Sequence, residues 1–180
     1  MDLSNIVLLD TETTGVYKNS QVCEISMVDG KTGLVLLDTL VKPSVPISKV
    51  ALETHGISEE MVKDAPTWGD IHHIVQRILT DTTAVAYNHT FDKRMMKQSA
   101  EAYGLRLKGV QWDCAMKWLH DYMKTRTDPN PKWPKLTDVA EQYGIEFQGD
   151  AHRALADAVM TREVILAVRR EDQLAGECIA

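Results

Sequence analysis

The sequence predicts an α/β fold of one domain, a mixed sheet with helices on its faces. Short β-branched runs joined by a turn signal fill the first part of the chain, and the remainder alternates helical periodicity with further short strands. The length of 180 residues suits a single core, and a chain of this size buries roughly 70% of its unfolded surface.

The elements follow in order. Residues 6–10 (IVLLD) form an apolar, β-branched run that reads as a buried strand. Residues 21–28 and 34–41 are two more strands. The turn signal Asp29-Gly30-Lys31-Thr32-Gly33 lies between them, so they pair as an antiparallel hairpin that Pro43 and Pro46 end. After a connecting stretch, Thr67 caps a helix with Asp70 three residues on. Trp68, Ile71, Ile74, Val75, Ile78 and Leu79 give that helix one apolar face, most simply a core face. Residues 83–87 form a fourth strand, and the helix after it, from about Phe91 to Tyr103, stops at Gly104. A fifth strand over 110–112 leads into a helix over 115–123. The segment 125–135 (TRTDPNPKWPK) holds three of the six prolines and is a loop. Residues 136–143 form a short helix ending at Gly144, and a longer one runs from about Ala154 to Arg169. The tail 173–180 reads as frayed, which leaves one domain over 1–172.

Composition narrows the function classes. Twenty Lys and Arg against twenty-six Asp and Glu give a formal charge of −6, which argues against a passive DNA-coating protein. A nucleic-acid substrate stays open, because carboxylates that hold divalent cations invert the local field. Cys23, Cys114 and Cys178 are an odd set without a C-x-x-C pair, so they support neither a disulfide framework nor a zinc finger. They read as buried or free thiols of a reducing cytoplasm. No apolar run approaches the ~18–20 residues of a membrane span and the start lacks a basic signal region, so a cytoplasmic protein without membrane contact is expected.

Three acidic motifs carry the chemistry. The first strand leads into Asp10-Thr-Glu-Thr-Thr-Gly15, where strand alternation aims Asp10 and Glu12 to one side. Asn88-His-Thr-Phe-Asp92 follows the fourth strand, a position at which Asn and Asp alone are ordinary caps. The third motif is His152-Arg-Ala-Leu-Ala-Asp157. Five residues on a helix turn through about 140°, so His152 and Asp157 converge only if His152 precedes the helix and Asp157 lies on its early turns. An Arg153–Asp157 ion pair on a solvated helix is the competing local reading.

Together these motifs resemble those of the DnaQ-like 3′–5′ exonucleases, subgroup DEDDh, over residues 6–168. Residues 52–58 (LETHGIS) and 136–144 (LTDVAEQYG) are similar to further stretches of that family. The resemblance implies a ribonuclease H-like fold, with a mixed five-stranded sheet and helices on both faces. It also implies that Asp10, Glu12 and Asp157 ligate two Mg²⁺ ions directly, Asp10 bridging both, while Asp92 acts through water and Mn²⁺ substitutes for Mg²⁺. The chemistry of the set agrees. Carboxylates held ~4 Å apart repel by on the order of 4 kcal/mol per pair, and oxygen-only ligands favour Mg²⁺ or Mn²⁺. Two ions ~3.5–4 Å apart activate a water and stabilise the leaving oxygen. His152 is implied as the general base, a role that imidazole chemistry suits. His72, His73 and His120 read as surface or helix residues.

For the substrate, the resemblance implies contacts from the backbone around Thr13 and Gly15, an apolar wedge at Val16, flanking by His55 and Ile57, and a wall of Asn88 and Phe91. Tyr87 is a departure, since many relatives carry His there. The loop residues Lys124, Arg126, Lys132, Trp133 and Lys135 suit either strand binding or a solvated loop. The expected partner is a single-stranded 3′ end, with DNA favoured because oligoribonuclease-like proteins read D-x-E-M-T-G where this chain has Thr13-Thr14. Trimming of short RNA is the first alternative and a catalytically silent nucleic-acid-binding module the second. No polymerase tether is evident, and a homodimer, common among stand-alone relatives, stays open.

Overall fold

The computed structural model describes residues 1–126, 128–146 and 152–177. Among the described residues there are five strands: β1 (Ile6–Thr13), β2 (Val22–Asp29), β3 (Val35–Leu40), β4 (Thr83–Ala86) and β5 (Gln111–Cys114). They form one sheet in the order β3-β2-β1-β4-β5. The β1–β2 and β2–β3 pairs are antiparallel, whereas β1–β4 and β4–β5 are parallel. The sheet is therefore mixed, with the predicted hairpin at one edge.

The helices are α1 (Lys49–His55), α2 (Glu59–Val62), α3 (Trp68–Leu79), α4 (His89–Glu101), α5 (Ala115–Arg126), α6 (Leu136–Gln142) and α7 (Ala154–Glu177). Alternation along β1 sorts them onto two faces. Val7 and Leu9 pack with Trp68, Ile71 and Val75 of α3 and with Met95 and Met96 of α4. Ile6 and Leu8 pack on the opposite side with Ala115 of α5 and Ile165 of α7. The α7 helix is also fastened to the hairpin turn, where Arg162 donates to the Gly30 and Lys31 carbonyls.

Several boundaries differ from those read in the sequence. β1 continues to Thr13, so Glu12 lies within the strand. The connecting stretch before Thr67 contains α1 and α2, begun by Ser48 and Ser58, whose hydroxyls accept from the Ala51 and Met61 amides. α5 runs to Arg126, which places Thr125 and Arg126 in a helix instead of the loop. α7 continues through Glu177, beyond the expected end at Arg169 and into the tail read as frayed. Residues 178–180, with Cys178, lie outside the described residues, as do residues 147–151 ahead of His152. On α3, Ile74 is 38% exposed, because it sits 100° from Val75 at the margin of the buried stripe. Among the described residues no helix is long and apolar enough to cross a membrane.

Candidate active site and metal centre

The alternation that sorts the helices also places the acids. Asp10 and Glu12 continue the even-numbered side of β1 that faces α7, whose first turn carries Asp157. One carboxylate oxygen from each of Asp10, Glu12 and Asp157 lies within 4.8 Å of the others. Thr11 points to the other side, where its hydroxyl donates to Asp92 Oδ1 at 2.8 Å. Asp92 belongs to the first turn of α4 and is buried. Thr11 thus fixes Asp92 beside the three-acid group, whose cavity it also lines.

Burial and mutual repulsion make this a poor place for bare charge. Burial raises the Asp10 carboxyl well above its ordinary range, and the charges of Asp92, Asp157 and Glu12 raise it further. Burial, then Asp157 and Glu24, push Glu12 up to about 8. Asp92 is pushed up to about 7 by burial, against the opposing hydrogen bond from Thr11. Burial also raises Asp157, an effect that the neighbouring His152 opposes. Three convergent carboxylates that stay raised by burial and mutual repulsion fit a divalent ion, because such an ion removes both penalties.

The turn into α7 brings His152 and Asp157 to one cavity. His152 precedes the helix by two residues and has φ 62°, which swings the chain so that imidazole and carboxylate converge despite their spacing. The turn is seated by a residue the motifs did not single out. Glu24, buried on β2 directly across from Glu12, accepts from Arg153 Nε at 3.1 Å with both oxygens and pairs with Arg153 Nη2. Its Oε2 also accepts the Ala154 amide at 2.9 Å, so a β2 carboxylate caps α7. With both oxygens so engaged, Glu24 is a support for the acid group, and Arg153 has the charged partner that a purely local reading gave to Asp157.

Asp10, Glu12, Asn88, Phe91, Asp92, His152 and Asp157 line one cavity of about 330 Å³, together with Tyr87, Leu136 and Thr137. A second cavity of about 370 Å³ shares Thr11, Glu12 and Phe91 with the first and is lined by Thr13, Gly15, Val16 and His55. Thr13 is buried, and its hydroxyl donates to the Gly15 carbonyl. Gly15 has φ 153°, and a Cβ there would stand 3.2 Å from Ser20 Oγ. Val16 is 61% exposed at the rim. His55 Nδ1 accepts the Ile57 amide, so Nε2 carries the proton and donates to the Thr13 carbonyl at 3.1 Å. Ile57 lines neither cavity: it is fully buried against Cys23 and Val62, and only its amide reaches the site, through His55. Asn88 makes no side-chain cap bond and takes the Thr90 hydroxyl instead. Among the described residues Cys23 and Cys114 are buried free thiols, Cys23 beside the His55 imidazole at 3.9 Å and Cys114 donating to the Tyr87 carbonyl.

A mixed sheet of this order with acids on its first strand, a middle helix and α7 defines a ribonuclease H-like nuclease of the DEDDh type. The exonuclease family RNase_T matches residues 7–165, and the chain belongs to that family. It is similar to an uncharacterized exonuclease, CP81, of Escherichia phage 186, with 40% identity over 174 residues that cover 91% of this chain and 88% of that protein. It is 30% identical over 173 residues to a DNA polymerase III PolC-type protein of Caldanaerobacter subterraneus, of whose length it spans only 12%. Among solved structures, exonuclease X in complex with 5′-overhanging duplex DNA superposes with a TM-score of 0.69 at 27% identity, covering 92% of each chain. The protein is an exonuclease, a hydrolase of phosphodiester bonds, and its family works with divalent metal ions.

Proposed function

We propose that this exonuclease is Mg²⁺-dependent, degrades single-stranded 3′ ends in the 3′–5′ direction, and releases nucleoside 5′-monophosphates, with DNA favoured over RNA. The observation that carries this reading is the convergence of Asp10, Glu12 and Asp157 within 4.8 Å in a cavity that His152 also lines.

Asp10, Glu12 and Asp157 would hold two Mg²⁺ ions, for which Mn²⁺ substitutes, and Asp92 would contribute through water. Bound divalent ions supply neutralisation of the phosphate and activation of the attacking water. His152 takes the proton from that water as general base; it is exposed at the mouth of the cavity and so passes the proton on to solvent. Val16 wedges against the terminal base, Asn88 and Phe91 form the wall beside the scissile bond, and the backbone of Thr13 and Gly15 receives the terminal nucleotide. His55 keeps that backbone in place through the Thr13 carbonyl.

The test is incubation with a 5′-labelled DNA 12-mer in Mg²⁺, Mn²⁺ or EDTA. A ladder shortening from the 3′ end, absent in EDTA and in Asp10→Ala, is expected. No ladder with any metal would leave a silent binding module. A faster rate on the matched RNA 12-mer would reverse the preference for DNA.

A further inference from the structure

The Pro-rich loop over 128–135 is not simply solvated, because both of its buried prolines are fastened. His120 of α5 shares a hydrogen bond at 3.2 Å with the Pro131 carbonyl, an acceptor only, so Nε2 donates. The Tyr87 hydroxyl donates to the Pro134 carbonyl at 2.8 Å. Between these two anchors Trp133 stands 59% exposed. Its ring is stacked on His120, with centroids 4.2 Å apart and planes at 21°. One face of the indole is therefore covered by imidazole, while much of the ring is left to solvent in a fixed orientation.

Two connections tie this ring to the catalytic cavity. Tyr87, which holds Pro134, lines that cavity. So do Leu136 and Thr137, and three residues of chain span at most ~10 Å. Lys132 and Lys135 are exposed on either side of Trp133. Arg126, by contrast, is committed to Asp172 of α7 and lies over the Tyr122 ring, so it does not belong to this surface.

From this arrangement we propose that Trp133 is a stacking platform for a nucleobase of the substrate strand just upstream of the 3′-terminal nucleotide, with Lys132 and Lys135 meeting the neighbouring phosphates. The proposal rests on the exonuclease reading of the adjoining cavity. Base–aromatic stacking tolerates any sequence, which suits an enzyme that shortens a strand stepwise, and a pinned indole loses little freedom on binding. Tyr87 acquires a role in the same way: the phenol that departs from the family's usual His is the latch that sets the platform's height.

Two substrates separate platform from active site: a DNA 12-mer, and the p-nitrophenyl ester of thymidine 5′-monophosphate, which carries no upstream nucleotide and so no base to reach the platform. Trp133→Ala should raise KM for the 12-mer about 5- to 150-fold, the range that base–aromatic stacking supports, and leave hydrolysis of the ester unchanged. Trp133→Phe should restore most of the loss. An unchanged KM for the 12-mer, or an equal loss on both substrates, overturns the platform. Anisotropy of a labelled 12-mer in EDTA reads binding without turnover: weaker binding by Trp133→Ala supports the platform even in a chain that cleaves nothing, and equal binding by both proteins refutes it.

Discussion

In the proposed mechanism His152 carries the proton step, and its backbone shows why it stands where it does. A histidine at φ 62° is uncommon and is tolerated only where its surroundings hold it. His152→Ala should lower kcat by about 10²- to 10⁴-fold, the usual worth of a positioned base, and leave oligonucleotide affinity intact. Single-turnover rates and binding isotherms measured on one preparation check this; an unchanged rate removes His152 from the mechanism. At this scale the sequence was informative, because carboxylates and imidazole are scarce at strand ends unless something requires them there. Glu24 was not legible. It sits in the apolar run of β2, and its partner Arg153 is 129 positions away, a separation no local pattern encodes. Ile57 was assigned by its neighbourhood in the LETHGIS stretch, but burial diverted its side chain inward and left only an amide for the site.

Among the elements, α7 and its seat on β2 decide whether the acid group is complete. Glu24 is buried but Arg153 is partly open to solvent, so losing the carboxylate costs about 1–3 kcal/mol, the worth of its charged hydrogen bonds and of the Ala154 amide it caps. Glu24→Ala should therefore lower stability by about that amount in denaturant unfolding. Glu24→Gln, which keeps shape and one acceptor, should lose less stability while lowering kcat with little change in KM. A Glu24→Gln enzyme with full kcat would show that the seat does not set the site. The long elements were legible because periodicity accumulates over them, as on α3 with its Thr67–Asp70 capping box. At seven and four residues, α1 and α2 are too short for a pattern, although Ser48 and Gly56 mark the ends of the first.

Across the whole molecule, the acids govern how stability follows pH. The Glu12 carboxyl ordinarily titrates at 4.5 and stands at about 8 in the folded chain, and Asp10, Asp92 and Asp157 shift in the same direction. Between the unfolded and folded values the native state holds protons that the unfolded state has shed, so rising pH favours unfolding. In EDTA the thermal midpoint should fall as pH rises from about 5 towards 8. Saturating Mg²⁺ or Mn²⁺ at pH 8 should restore it, since an ion that binds only the native state adds stability. Glu12→Gln should flatten the metal-free slope, which separates this effect from the overall charge of −6. A metal-free midpoint that climbs with pH would contradict the crowding of these groups. The sheet order itself was foreseeable only in outline: alternating strands and helices announce a mixed sheet, but nothing local tells β4 to pair with β1.

Asp10 and Asp157 come from distant parts of the chain, and the cleft between them exists only after α7 has docked across β1 and β2. Hydrolytic power should thus appear only once α7 is seated on the sheet. In refolding from urea, cleavage should return with the slowest spectroscopic phase and never ahead of it.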